Sequence, residues 1–220
     1  LQDQKGYMWF ATWDGLNKFD GRHFSVYKGE AGDPNGFTNN RLNNLVEDHR
    51  GYLWIITNDF EVYRFNPIDE KMRKMSYSPN KNDVVINQPV RQIEIIDDDN
   101  ICILTLTGCY IANISKDGPI NNLKYYSQEN GLLAGDDVRA VMKDKEENLW
   151  FLTEKGITFY KKDTSSPQHY FHQNLNETAF SSFLETSTLI YFGAENGQLW
   201  SFNKKSSAFN LESVKSASTI

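Results

Sequence analysis

Short hydrophobic runs alternate with polar turns along the chain, and one arrangement of them recurs five times. The copies occupy residues 6–20, 51–65, 100–111, 148–160 and 189–202. Loops rich in Asn, Gly and Asp join one copy to the next. Apolar runs of this length, bounded by turn residues, predict β-strands rather than helices.

One position in each copy, here called the anchor, keeps the five copies in register. The anchors are Trp9, Trp54, Cys102, Trp150 and Tyr191, separated by 45, 48, 48 and 41 residues. Six residues after the anchors stand Gly15, Phe60, Gly108, Gly156 and Gly197. A glycine is expected where a tight turn requires positive φ, so Phe60 departs from the pattern.

Each copy predicts four short strands. The first precedes the anchor, as in 42–47, 90–96 and 138–143, and the anchor lies in the second. The third follows the turn, as in 16–19 and 157–160. The fourth is expected around Phe24/Val26, Met75/Tyr77, Leu123/Tyr125 and Tyr170/Phe171. Four antiparallel strands recurring every ~40–50 residues predict an all-β fold, a β-propeller with four-stranded blades. A β-sandwich is the alternative, but it gives no reason for an aromatic side chain at one fixed position per copy.

The repeat predicts one partial β-propeller domain over residues 1–220, an arc of a seven-bladed propeller. Its parts are a partial blade at 1–29, blades at 37–78, 84–127, 132–173 and 177–212, and the start of another at 216–220. The first blade lacks its innermost strand. We expect such an arc to expose two hydrophobic blade faces, covered by further chain or by another copy. The anchors are expected to pack against the neighbouring blade rather than to hold a cofactor.

Charge and composition exclude several classes of protein. The formal net charge is −6 and no Lys/Arg cluster is present, which argues against a direct nucleic-acid binder. No apolar stretch is long enough to form a membrane-spanning helix. Cys102 and Cys109 flank one hairpin, in which Cys109 is expected to face Thr105, so no disulfide is predicted.

The repeat carries the pattern Asp-x-x-Gly-x-x-Trp-x-x-Thr-x-x-Gly-Leu-x-x-Phe. The first copy has Asp3, Gly6, Trp9, Thr12, Gly15, Leu16 and Phe19, and the fourth is nearly as complete. The second copy loses the turn glycine, the third lacks the Trp, and the fifth keeps mainly its hairpin. The pattern resembles the two-component regulator propeller repeat.

The resemblance implies the N-terminal periplasmic sensor region of a Bacteroides-type hybrid two-component histidine kinase. Such a region is expected to bind oligosaccharides, to control polysaccharide-utilisation genes, and to form a homodimer through the full-length receptor. This chain carries no kinase motif, so no enzyme activity, catalytic residue, metal ligand or cofactor is predicted for it. A protein-interaction scaffold and, less favoured, a carbohydrate-active propeller enzyme remain the alternatives.

Candidate ligand contacts lie in the turns between the second and third strands. Trp13 and Phe60 are bulky aromatic residues beside Asp14 and Asp59, and sugars bind to aromatic faces flanked by carboxylates. The alternative is that both rings fold down onto a neighbouring blade. Arg91 and Arg139 hold equivalent positions on predicted innermost strands. They are candidates for contact with an acidic sugar, or ordinary salt-bridge partners.

Overall fold

Every regular element in the described part of the chain is a β-strand. The computed structural model describes residues 1–29, 33, 36–75, 86, 88–114, 120–170 and 179–212. The strands are β1 (Met8–Thr12), β2 (Gly15–Phe19), β3 (Phe24–Tyr27), β4 (Leu42–Glu47), β5 (Leu53–Thr57), β6 (Val62–Asn66), β7 (Lys71–Lys74), β8 (Gln92–Ile95), β9 (Asn100–Thr105), β10 (Gly108–Ile114), β11 (Ile120–Tyr126), β12 (Val138–Lys143), β13 (Leu149–Thr153), β14 (Gly156–Tyr160), β15 (Gln168–Tyr170), β16 (Phe180–Glu185), β17 (Leu189–Ala194), β18 (Leu199–Asn203) and β19 (Ala208–Glu212).

The strands form five sheets in which neighbours in sequence are neighbours in space. The first sheet has three strands, β1-β2-β3, and the others have four each: β4–β7, β8–β11, β12–β15 and β16–β19. Each has the organisation of a propeller blade, as the repeat predicts. The first three sheets belong to one compact unit, Leu1–Tyr125, and the last two to a second, Tyr126–Ile220.

The anchors pack between blades in three of the five copies. Trp9 joins a buried cluster with Leu53 and Ile55 of the second blade. Trp54 packs in the same way with Ile101 and Ile103 of the third blade. In the second unit, Trp150 packs with Ile190, Phe192 and Trp200. This confirms core packing as the role of the tryptophans.

The other two anchors behave differently. Cys102 is fully buried, whereas Tyr191 is only half-buried. Tyr191 lies on the face of its sheet opposite Ile190 and Phe192, which are the residues that meet the fourth blade. Within its own unit, no described blade packs on that face.

An aspartate stands six positions before each anchor tryptophan, and its contacts explain the spacing of these two residues in the repeat. Its carboxylate accepts a hydrogen bond from the indole N–H and is itself buried. The Oδ2···Nε1 distances are 2.7 Å for Asp3 and Trp9, 2.9 Å for Asp48 and Trp54, and 2.8 Å for Asp144 and Trp150. The other oxygen of Asp48 accepts the backbone N–H groups of Arg50 and Tyr52, both at 3.0 Å. One carboxylate therefore holds the turn and orients the anchor.

The turn six residues after the anchor has positive φ in every copy. The four glycines there adopt φ between 82° and 153°, and Phe60 adopts 64°. Phe60 thus takes a left-handed conformation without the freedom of a glycine, which is a strained arrangement for an aromatic residue.

Two details of the predicted strands are wrong. The fourth strand of the second blade is Lys71–Lys74, ahead of the predicted Met75/Tyr77. The chain reverses early because Glu70 has positive φ and closes the hairpin directly before Lys71. Cys109 pairs with Leu104 rather than Thr105, since the turn at Leu106-Thr107 contains only two residues. Both cysteines are free, as predicted, and both are buried.

Part of the predicted layout lies outside the described residues. This holds for Tyr77, for Phe171 and for the predicted blade start at 216–220. Residues Leu1 and Gln2 pair with β1: the N–H and carbonyl of Trp9 both hydrogen-bond to Leu1, at 2.8 and 3.0 Å.

Candidate functional site

Two turns at the same end of the first and second blades carry four of the predicted contact residues. The segment before β4 links these turns through its backbone. Gly15 donates to the carbonyl of Asn40 and Asn58 donates to the carbonyl of Arg41, both at 2.8 Å. The first turn holds Trp13 and Asp14, and the second holds Asp59 and Phe60.

Trp13 is the most exposed aromatic side chain in this region. Its exposed fraction is 81%, so the alternative that it folds down onto a neighbouring blade is wrong. The guanidinium of Arg41 lies 5.6 Å from the centre of its ring, within the range of a cation–π contact. Trp13 therefore presents a flat apolar face beside a positive charge.

Asp14 is paired across the first blade. Its Oδ2 accepts a hydrogen bond from the Nζ of Lys28 at 2.6 Å, and the carboxylate is largely exposed. An exposed pair of this kind adds little stability. Its carboxylate and ammonium remain accessible to hydroxyl groups of a ligand.

Hydroxyl groups hold Asp59 in place. Thr57 Oγ1 donates to one carboxylate oxygen at 2.5 Å and Thr38 Oγ1 to the other at 2.8 Å. Partial burial acts to raise the pKa of Asp59, but these hydrogen bonds outweigh it and the pKa is lowered. Asp59 is thus a fixed, charged acceptor beside Phe60, a residue that is 48% exposed.

The structure brings the two turns to one end of the unit but does not join their side chains. Among the described residues, no hydrogen bond, ion pair or ring contact links Trp13 or Asp14 to Asp59 or Phe60. Arg91 lies directly before β8, and its backbone N–H donates to the carbonyl of Leu104 at 2.8 Å.

Arg139 lies in the other compact unit and is engaged by acids. Its guanidinium meets Asp137 at 2.7 Å and Glu195, in the turn of the fifth blade, at 3.0 Å. Its Nε is buried without a hydrogen-bond partner. This geometry matches the salt-bridge alternative and leaves Arg139 with little freedom to bind an acidic sugar.

The two turns and the side chains that contact them are called the turn site below. Three of its residues were not predicted from the sequence: Arg41, Lys28 and Thr38. The signal for Arg41 was its place one residue before an innermost strand, at the end of the blade where the turns lie. Lys28 and Thr38 lie in or beside loops, where pairing with a distant aspartate has no periodic signature.

Metal-binding geometry is not found in the described ranges, where no group of three His, Cys, Asp or Glu side chains converges. The acidic run Asp97–Asp99 illustrates why. Asp97 closes its own turn by accepting the N–H of Asp99, Asp98 meets His49 at 2.8 Å, and Asp99 meets Arg50 at 2.6 Å. The three carboxylates therefore bind three different partners and do not converge.

No helix in the described segments is long and apolar enough to cross a membrane.

Comparison with known families supports the resemblance of the repeat. Residues 36–59 match the two component regulator propeller family. The matched stretch lies over the second copy, whereas the motif residues had favoured the first and the fourth. A search of the curated proteins returns no match.

Solved structures resemble nearly the whole chain. An extracellular domain assigned to the hybrid two component system BT3049 of B. thetaiotaomicron is 23% identical, with a TM-score of 0.72 over 96% of this chain and 29% of that one. A domain assigned to a one component system of the same organism, BT4673, is 19% identical, with a TM-score of 0.66 over 96% of this chain and 27% of that one. Virginiamycin B lyase from Staphylococcus aureus is 12% identical, with a TM-score of 0.63 over 98% of this chain and 69% of that one.

These likenesses establish the fold. The chain has the β-propeller fold, with four-stranded antiparallel blades. It spans less than a third of the two receptor domains that it resembles. Both sensor domains and an enzyme share this fold, so the fold alone does not decide the function.

Proposed function

We propose that the protein is part of an extracytoplasmic ligand-sensing domain of a hybrid two-component receptor, and that it binds oligosaccharides. The observation that carries the proposal is the likeness to receptor extracellular domains over 96% of the chain, together with the family match at residues 36–59. In this proposal the domain lies in the periplasm, the parent receptor is a histidine kinase that acts as a homodimer, and its output is control of polysaccharide-utilisation genes.

The turn end of the first and second blades supports a saccharide ligand. The exposed ring of Trp13 offers a stacking surface for the CH face of a sugar. Arg41 lies against the same ring and Asp14 is the next residue in the turn. The neighbouring turn holds Asp59, whose carboxylate is fixed by Thr57 and Thr38. Fixed polar groups beside an aromatic face are what the recognition of ring hydroxyls requires.

Signalling in this proposal is a shift of population and involves no chemistry by this chain. A ligand that binds one arrangement of the receptor better than another biases the equilibrium by the difference in its affinities. The kinase would read that bias. Similarity to virginiamycin B lyase supports one competing proposal, a propeller enzyme.

A thermal-shift screen against defined oligosaccharides tests the proposal. Ligand at a hundredfold excess over its dissociation constant stabilises the folded state by about 2.7 kcal/mol. We expect a shift with one glycan class, and chromatography of the mixture should recover the glycan intact. Cleavage of the glycan would favour the enzyme. A well-folded sample with no shift across the panel would favour the protein-interaction scaffold.

A further inference from the structure

A groove of about 540 Å³ opens between the fourth and fifth blades of the second unit. It lies beside the turn between β12 and β13, at the opposite end of the blade from the turns that follow the anchors. Its lining includes the aromatic rings of Phe159 and Tyr170, together with Asn148, Lys161 and Lys205. The volume falls within the range of small-molecule sites.

The first and second blades show what fills this position elsewhere in the repeat. In the first blade, Lys18 lies opposite Trp9 across the β1–β2 pair, and its Nζ is 4.1 Å from the ring centre of Tyr7. In the second blade, the guanidinium of Arg64 lies 3.8 Å from the ring centre of Tyr52 and 5.3 Å from that of Trp54. Both blades therefore cover their anchor with a tyrosine and a cation.

The fourth blade lacks both covering groups. The residue opposite Trp150 is Phe159 instead of a cation, and Asn148 stands two residues before the anchor in place of tyrosine. The amide of Asn148 turns inward and donates to Asp144 at 2.9 Å. The groove lies beside the anchor at the positions where the first and second blades carry a tyrosine and a cation.

Within the described residues, two of the three lysines around the groove have no acidic partner. Lys204 is neutralised by Glu146, at 2.8 Å, and by Glu185. Asp144 is occupied by the indole of Trp150 and the amide of Asn148. In the described part of the chain, no salt bridge engages the exposed Lys161 or Lys205.

We propose that this groove is a second binding site, distinct from the turn site around Trp13, and that it takes a sugar ring carrying a carboxylate. The half-buried rings of Phe159 and Tyr170 form an apolar floor for the CH face of the sugar. Gln168, Ser187 and Ser207 place amide and hydroxyl groups at the rim. Lys161 and Lys205 supply the charge for the carboxylate.

Calorimetric titration with two matched probes tests the ligand class. Tetragalacturonate and neutral α-1,4-galactotetraose differ at C6, where the first carries a carboxylate and the second a hydroxymethyl group. We expect the acidic probe to bind about tenfold more tightly at low salt, with the difference shrinking as salt screens the lysines. Equal affinities, or a preference for the neutral probe, would overturn the assignment of an acidic sugar.

A groove-filling variant tests the location. Asn148→Tyr combined with Phe159→Arg installs the pair that the second blade already accommodates, so the fold should be retained. We expect it to weaken binding of tetragalacturonate about tenfold or more, with the melting temperature nearly unchanged. Unchanged binding by a folded variant would rule out the groove.

A second variant guards against misfolding of the first. Lys161→Gln with Lys205→Gln alters only exposed positions, and it should reduce the affinity for the acidic probe and flatten its salt dependence. Unchanged affinity and salt dependence would contradict the proposal. Trp13→Ala is the matched control: if it abolishes binding of tetragalacturonate and the groove variants do not, the acidic ligand belongs to the turn site, and the proposed sensor function stands without the groove.

Discussion

A buried aspartate accompanies each of the three anchor tryptophans, and in the second blade it accepts hydrogen bonds from three kinds of donor. Asp48 accepts the indole N–H of Trp54 and two backbone N–H groups, and it lies 3.3 Å from the guanidinium of Arg64. Removing the acceptor leaves buried donors without a hydrogen-bond partner. The free-energy penalty of these unpaired donors is larger than the net stabilisation that the hydrogen bonds provide when formed. The sequence shows the spacing of Asp and Trp, but only the structure shows why both are needed.

Asp48→Asn should destabilise the protein by about 3 kcal/mol, the magnitude of breaking a buried ion pair. The matched control is Asp98→Asn, which changes an exposed carboxylate paired with His49. Its cost should stay within about 0.5 kcal/mol, as for most surface substitutions. Urea denaturation of the two variants measures both. Equal losses would show that the buried carboxylate has no special role.

Gly15 and Gly197 occupy the same turn position but differ in their surroundings. A Cβ at Gly15 would lie 2.5 Å from the carbonyl oxygen of Tyr27, whereas a Cβ at Gly197 meets nothing within 4 Å. Both glycines have positive φ. Gly197→Ala should therefore cost about 1 kcal/mol, from the backbone alone.

Gly15→Ala should cost about 3 kcal/mol, because the contact adds to the same backbone penalty. Thermal unfolding of the two variants separates backbone conformation from close approach. A loss for Gly197→Ala as large as that for Gly15→Ala would mean that the contact in the first blade is relieved at no cost.

At the scale of the element, the hydrophobic pattern predicted most strands closely. β4 and β12 have the predicted bounds because each is a short run containing several apolar residues that ends in a charged residue before a polar turn. The fourth strand of the second blade was misplaced because the outer strands are more exposed and their pattern is weaker. The pairing of Cys109 depended on the number of residues in the turn, which the pattern of apolar residues does not specify.

The hairpin that carries both cysteines gives a chemical test of this packing. Both thiols are buried, and burial, reinforced by Cys109, raises the pKa of the Cys102 thiol. A protonated, enclosed thiol does not react with alkylating reagents. We expect iodoacetamide to label neither cysteine in the native protein at pH 8 and both in urea, as counted by mass spectrometry. Rapid labelling of the native protein would contradict the burial of this hairpin.

At the scale of the whole molecule, the sequence predicted the fold better than the site. The repeat predicted the fold because the same strand pattern recurs in five copies, and agreement among the copies strengthens the prediction. The site depends on residues such as Arg41 and Thr38, whose partners are set by the approach of loops from two blades. The groove of the fourth blade was not predicted from the sequence, because it depends on the lack of a tyrosine and of a cation beside Trp150. The repeat motif does not include these two positions.

The outer face of the first blade carries exposed apolar side chains. Phe10, Phe24 and Val26 are exposed there, on the face turned away from the second blade. In the second and third blades the corresponding face is covered by the anchor of the preceding blade. That further chain or another copy covers this face stays a prediction.

The most direct test of the proposed function is calorimetric titration of the glycan found by the thermal-shift screen into the wild-type protein and Trp13→Ala. Because Trp13 is 81% exposed, its loss should leave the melting temperature nearly unchanged. The proposal predicts saturable binding without cleavage, weakened about tenfold or more by the substitution. Equal affinity of the two proteins would contradict the turn site, and the absence of saturable binding to the wild-type protein would contradict the oligosaccharide sensor itself.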